Sequence, residues 1–256
     1  MSVFHKLKAS LGIGAAVVDT VIDKDTYEQE ESVTGVVKVK GGKVKQLVNG
    51  IELSLLTTVI VEGEDSEYFE EYCLKKVTIS ENTEIEPEKD WEKSFSMKLP
   101  ENTPLTDEEM KVWVRTEVDI ARGMDPVDVD PLTILPSAKT QRLFHALQEL
   151  GFYLKKVKTV WRDSDEKDIV QMYGLIPDNG PFFEELEALV IAFHHEKDGL
   201  RVVFELDRYS TGFAGLFAEA LDVDRSKHSF FIEESDLTNK DKELSDQIEK
   251  WLRSAI

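Results

Sequence analysis

Apolar and polar residues alternate with a period of two through much of the first half of the chain. Gly35, Val37 and Val39 alternate with Val36, Lys38 and Lys40, and Ile51, Leu53, Leu55, Thr57, Val59 and Val61 share one face of a strand from Val48 to Val61. Phe95, Met97 and Leu99 alternate up to Pro100, and Val112, Val114, Thr116, Val118 and Ile120 alternate with Trp113, Arg115, Glu117 and Asp119. Successive strand residues point to opposite faces, so this period predicts strands with one side against a core. Tyr68 to Ile79 reads as a further strand, with polar, turn-rich loops at Glu62 to Glu67 and Glu81 to Asp90. Strands at this spacing, with almost no helical period, predict an antiparallel β-sandwich.

Gly41-Gly42 separates two of these runs. Glycine tolerates positive φ at both central positions of a two-residue turn, so the pair predicts a β-hairpin. That register sets Lys40 opposite Lys43, Val39 opposite Val44 and Lys38 opposite Lys45. Lys38, Lys40, Lys43 and Lys45 then share one face, although like charges placed opposite one another repel.

Gly123 to Pro136 breaks the pattern. It holds Pro126, Pro131 and Pro136 among Asp125, Asp128 and Asp130, residues that resist both a helix and a central strand. It predicts a junction, and the expected division is an N-terminal sandwich over 1–128, a C-terminal sandwich over 129–235 and a helix over 236–256. A helix opens the second half: Ser137 is placed to cap it, Leu143, Ala146, Leu147 and Leu150 form its stripe, and Gly151 supplies a left-handed stop. Strands resume at Phe152 to Trp161, Ile169 to Pro177, Leu186 to His195, Leu200 to Arg208 and Ser229 to Ile232. Thr238 to Leu252 is amphipathic at helical spacing, with Leu244, Ile248, Trp251 and Leu252 on its apolar stripe.

Charge narrows the choice of partner. The chain has 31 Lys and Arg against 51 Asp and Glu, a formal net charge of -20. Such a surface repels phosphate backbones and anionic lipid, so neither nucleic acid nor a membrane is an expected partner. Cys73 is the single cysteine and can form neither an internal disulfide nor a thiolate-rich zinc site, which fits a reducing cytoplasm. His5, Lys6 and Lys8 precede an apolar run from Leu11 to Val18, but the run is short and Asp19 closes it, so it reads as the lead-in to a first strand.

Three stretches carry a resemblance. Phe95 to Leu99 followed by Pro100-Glu-Asn-Thr-Pro104, an acidic loop and the strand Val112 to Ile120 resembles the strand, Leu-Pro, loop, strand signature of arrestin-like N-domains. Gly12-Ile-Gly-Ala-Ala-Val-Val-Asp19-Thr and Val118-Asp-Ile-Ala-Arg-Gly-Met-Asp125-Pro-Val-Asp128 resemble the bacterial sporulation-control family (stage zero, M). The likeness runs nearly end to end. It implies an all-β chain of two tandem arrestin-like sandwiches, a cytoplasmic location, no catalysis and a negative regulatory role at the start of sporulation. It supplies no ligand residues. A trafficking-type adaptor of the arrestin clan, associated with membranes, is the alternative.

Tests for catalysis find little. None of the five histidines stands in a HExxH spacing and no serine stands in a GxSxG elbow. His194 and His195 are adjacent on a strand, so they point to opposite faces and cannot easily share a metal. No catalytic, cofactor or metal residue is therefore expected, and the expected partners are proteins, with self-association open. Three candidate contact regions follow. The lysine face suits an acidic or phosphorylated segment, or is a solvated face that discourages edge pairing. Phe213, Leu216 and Phe217 lie in a glycine-bearing stretch that is either an exposed contact or a short helix folded over the sandwich end. Trp251 anchors the last helix, either on its own domain or in a partner's groove.

Overall fold

The computed structural model describes residues 15–62, 66–161, 168–207, 217, 228–238 and 244–256. The chain divides into two compact units. Unit 1 holds Met1–Thr58 and Glu71–Leu135, and unit 2 holds Val59–Glu70 and Pro136–Ile256.

Unit 1 contains β1 (Val17–Ile22), β2 (Thr26–Glu28), β3 (Ser32–Lys40), most of β4 (Gln46–Glu62) and of β5 (Glu67–Ile85), β6 (Asp90–Lys98), β7 (Val112–Ile120) and β8 (Val127–Leu135). One sheet has the order β1-β3-β6, and the other runs β5-β4-β7-β8-β2. The alternation read from the sequence is what buries them. Val33, Val37 and Val39 of β3, Ile51, Leu53 and Leu55 of β4, and Val114 and Val118 of β7 all point inward. Burying one such aliphatic side chain contributes about 1.5–3 kcal/mol. Two polar ties join the layers: the Thr20 and Thr116 hydroxyls share a buried 2.6 Å hydrogen bond, and the Thr20 amide donates to the Asp128 carboxylate at 2.6 Å.

Four expectations change here. First, Gly41-Gly42 is not a hairpin turn. Both ladders of β3 are taken, by β1 on one side and β6 on the other, so Lys38, Val39 and Lys40 do not pair with Lys45, Val44 and Lys43. The two glycines cross between sheets instead, pressed against the turn that joins β5 to β6. The Gly41 amide donates to the Lys89 carbonyl at 2.8 Å and the Glu88 amide to the Gly42 carbonyl at 3.0 Å. A Cβ on Gly41 would stand 2.3 Å from the Glu86 carbonyl oxygen, so this glycine serves close approach rather than a turn. Second, Glu81 to Ile85 continues β5 instead of forming a loop.

Third, the proline-rich stretch includes a strand. β8 pairs with β7 from Val127 to Leu132, with Pro131 opposite Trp113. The ladder tolerates this proline because β2, the neighbour on the other flank, pairs only with Thr133 to Leu135. The aspartates accept from backbone amides: Asp125 from Ile120 at 2.8 Å, and Asp128 from Thr20. A division at 128/129 falls inside β8, whereas the compact units part after Leu135. Fourth, the pairing is not purely antiparallel, since β2 pairs with β8 and β4 with β9 (Phe152–Trp161) in parallel.

Unit 2 is built on β9, β10 (Ile169–Pro177), β11 (Ala188–Glu196), β12 (Gly199–Asp207) and β13 (His228–Glu233), in that order and antiparallel throughout. Helices α1 (Ala138–Glu149), α2 (Glu234–Thr238) and α3 (Leu244–Ala255) accompany the sheet. The local signals for α1 hold. Ser137 Oγ accepts from the Thr140 amide, Leu143, Ala146 and Leu147 are buried, and Gly151 takes φ +86° just past the end. Phe144 of α1 meets Tyr173 and Phe193 edge-on, with centroids 5.0 and 6.3 Å away, which sets the helix against β10 and β11. The amphipathic tail is two helices in the described residues, α2 and α3, with 239–243 outside them.

Candidate interaction surfaces

The four lysines do not take the expected hairpin register. Lys38 and Lys40 lie on the outer face of the β1-β3-β6 sheet, and Lys43 and Lys45 lie on the crossover after it. Carboxylates stand in register with two of them and bind a third. Asp19 and Glu92 stand in register with Lys38 on its two neighbouring strands, and Asp90 stands in register with Lys40. Lys45 Nζ binds Glu84 at 2.7 Å and Glu86 at 3.2 Å, and these bonds raise its pKa. Opposite charges in register stabilise the sheet, and they also neutralise the surface an acidic partner would seek. The hairpin geometry that motivated the cluster is thus replaced by a locally balanced face.

Phe213 and Leu216 lie outside the described residues. Phe217 is helical and only 2% exposed, with the Lys158 ammonium 5.4 Å from its ring centroid. Lys158 is itself buried and pairs with Glu67, whose carboxyl it holds below the usual carboxylate range. A buried ammonium needs such partners, and here a carboxylate and an aromatic face supply them. Phe217 is therefore a core contact rather than an exposed one.

The apolar stripe of α3 is used within the chain. Leu244, Ile248 and Leu252 are buried, and α3 packs against α1. Trp251 is not the deepest residue of the stripe. It is half-buried and stacks flat on Phe230 of β13, with centroids 4.3 Å apart and 13° between planes. Arg253 ties the helix end down by bonding Glu249 at 2.8 Å and Glu185 at 3.3 Å, with its guanidinium 5.0 Å over the Phe182 ring.

One surface was missed by the sequence reading. Phe182 and Phe183 are consecutive in a turn, and only the first enters the core, where it stacks on Phe152 at 5.6 Å. Phe183 stays 55% exposed. It lines a cleft of about 300 Å³ with Ile176 and Pro177, and Tyr153, opposite Ile176 in the ladder, is 44% exposed. Two adjacent aromatics in a Pro181-Phe182-Phe183-Glu184-Glu185 turn were the available signal, because neighbours in a tight turn seldom both reach one core.

No catalytic constellation emerges among the described residues. His145 pairs with Glu149 at 3.3 Å, the His195 ring meets Phe193 edge-on, and His228 stacks on Phe204. A polar cleft of about 470 Å³ in unit 1 is lined by Glu52, Glu81, Glu117, Asp119 and Asp125, yet no group of three His, Cys, Asp or Glu among the described residues is placed to hold a metal ion. No described helix is long and apolar enough to cross a membrane.

Paired sheets in unit 1 and a strand-rich unit 2 put the chain in the arrestin-like fold class. A crystal structure of Spo0M, a sporulation control protein from Bacillus subtilis, superposes with a TM-score of 0.85 at 29% identity, over 95% of this chain and 100% of that one. The sporulation-control protein spo0M of Bacillus subtilis (strain 168) is 33% identical over 221 residues, which is 86% of either chain. The Spo0M family model, described as SpoOM protein, matches residues 4–210, and the chain belongs to that family.

Proposed function

We propose that this chain is a non-catalytic cytoplasmic regulator that restrains sporulation through contacts with other proteins. The observation that carries the reading is membership of the Spo0M family together with the sporulation-control name of the relative that matches it across 86% of both chains. The state of the polar side chains supports the non-catalytic part. The imidazole of His145 lies 3.3 Å from the Glu149 carboxylate, and those of His195 and His228 pack against rings. The strong acid–base pairs, Lys158 with Glu67 and Arg115 with Glu71, tie β5 to β9 and to β7. A membrane adaptor would want a basic face, and Lys38, Lys40 and Lys45 stand beside carboxylates, so protein contact is the preferred reading.

The test is affinity capture of the tagged full chain from a spore-former entering starvation, quantified by mass spectrometry. Enrichment of one or a few proteins at near-stoichiometric amounts is expected. Turnover in a broad hydrolase and transferase screen, without any enriched protein, would contradict the proposal.

A further inference from the structure

We propose that Tyr153, Ile176 and Phe183 form the centre of a docking surface on unit 2 for a basic segment of a partner protein that presents a large apolar side chain. The proposal rests on the protein-contact reading above and names where that contact is made.

Aromatic pairing in unit 2 points to this surface. Phe144, Phe152, Tyr173, Phe182, Phe193, Phe204 and Phe230 each meet another ring. Phe217 and Phe231 sit under Lys158 and Arg201. Among the described residues of this unit, Tyr153 and Phe183, like Tyr68 and Phe69 on β5, meet neither a ring nor a cation and are about half exposed; of the four, Phe183 lines the cleft and Tyr153 stands opposite Ile176, which also lines it. Scattered apolar residues on a surface are ordinary. Two unpartnered rings beside one cleft are the composition of an interface centre, where Tyr and other aromatics carry most of the affinity.

Charge selects the occupant. Glu184 and Glu187 line the cleft, are exposed and have no cation partner among the described residues, while Glu185 is already bound by Arg253. Asp178, also exposed, adjoins Pro177 at the same end of β10. No lysine or arginine lines the cleft. Two exposed rings beside a carboxylate-rich cleft are complementary to Lys or Arg flanking an apolar anchor, and the unpaired carboxylates would steer approach and reject acidic partners. A second copy would bring the same carboxylates, on a chain of formal charge -20, and anionic lipid would bring more negative charge.

The experiment titrates the full chain into a fluorescein-labelled amphipathic peptide of about 18 leucines and lysines, the length that gives a marginal helix, read by anisotropy at about 0.15 M salt. Because the chain is acidic overall, the decisive variant keeps its charge. Tyr153→Ser with Phe183→Ser is expected to weaken binding about tenfold or more, a factor that corresponds to one lost anchor contact. Glu184→Gln with Glu187→Gln should weaken it and flatten its salt dependence. Glu108→Gln with Glu109→Gln, the same charge change on unit 1, should leave it within about twofold. All these positions are exposed, and an unchanged urea midpoint confirms that each variant is folded. Peptide binding by the Tyr153/Phe183 variant within about twofold of the unmodified chain would overturn the proposal. So would flotation with anionic vesicles, or a dimer in sedimentation, that the same variant abolishes. If the peptide result overturns the surface while affinity capture still recovers stoichiometric partners, only this placement fails. If capture recovers none, the protein-contact reading fails first.

Discussion

Gly151→Ala is expected to destabilise unit 2 by about 2–5 kcal/mol, and the cost has two parts. Gly151 follows α1 with φ +86°, where an L side chain is strained by about 1–2 kcal/mol. A Cβ there would also stand 2.0 Å from the Asn179 carbonyl oxygen, on the turn after β10. That contact is with backbone, and the Asp178 amide donates to the Gly151 carbonyl at 2.9 Å, so neither segment moves without loosening the other. Forced displacement of a packed segment adds about 1–3 kcal/mol. Gly50→Ala is the control: a Cβ there meets nothing nearer than the Ser80 carbonyl oxygen at 3.9 Å, and its effect should stay within about 1 kcal/mol. Urea unfolding of both variants checks the pair. Equal midpoints would mean that the close approach at Gly151 is not made in solution.

Ile248→Ala should cost more than Trp251→Ala, against the ranking that side-chain size suggests. Ile248 is fully buried between α3 and the unit it packs on, and removing three carbons there leaves a cavity worth about 2–5 kcal/mol. Trp251 is half-buried. Its loss removes the stack on Phe230, about 0.5–1.5 kcal/mol, and part of its apolar burial, for a total of about 2 kcal/mol. Both variants should leave the chain in its original association state, because α3 spends its stripe on its own unit. The measurements are the two urea midpoints and sedimentation of the same samples. A larger loss for Trp251→Ala would place the tryptophan, rather than the isoleucine, at the anchor of the helix.

These two helix ends show why some features were legible and others were not. Period-two alternation reported burial along β3 and most of β7, because each has a face turned to a core, whereas β4 is buried on both faces at Ser54, Leu56 and Ile60. Ser137 and Gly151 announced α1 because caps are chosen by local backbone geometry. Pairing partners are not local. Nothing near Gly41 distinguishes a glycine that opens a turn from one that lets the Glu86 carbonyl approach, so the β3 neighbours were misassigned and the lysine face with them. Pro131 argued against a strand by a rule for central strands, while its actual position has a ladder on one flank. Trp251 drew attention by size, but a helix stripe is wider than its core-facing line, and position along that line decides which residue is sealed. Phe183 escaped notice because irregular turns have no period from which exposure can be read.

Replacing the relative's coding sequence in Bacillus subtilis with the one for this chain tests the central claim, that the chain controls sporulation through protein contacts, most directly. Heat-resistant spores are counted beside the parent and a strain lacking the relative. The account predicts counts restored toward the parent by the intact chain, with the captured partners present at stoichiometric amounts in the same cells. Spore counts that stay at those of the strain lacking the relative, while the chain accumulates in folded form, would contradict it.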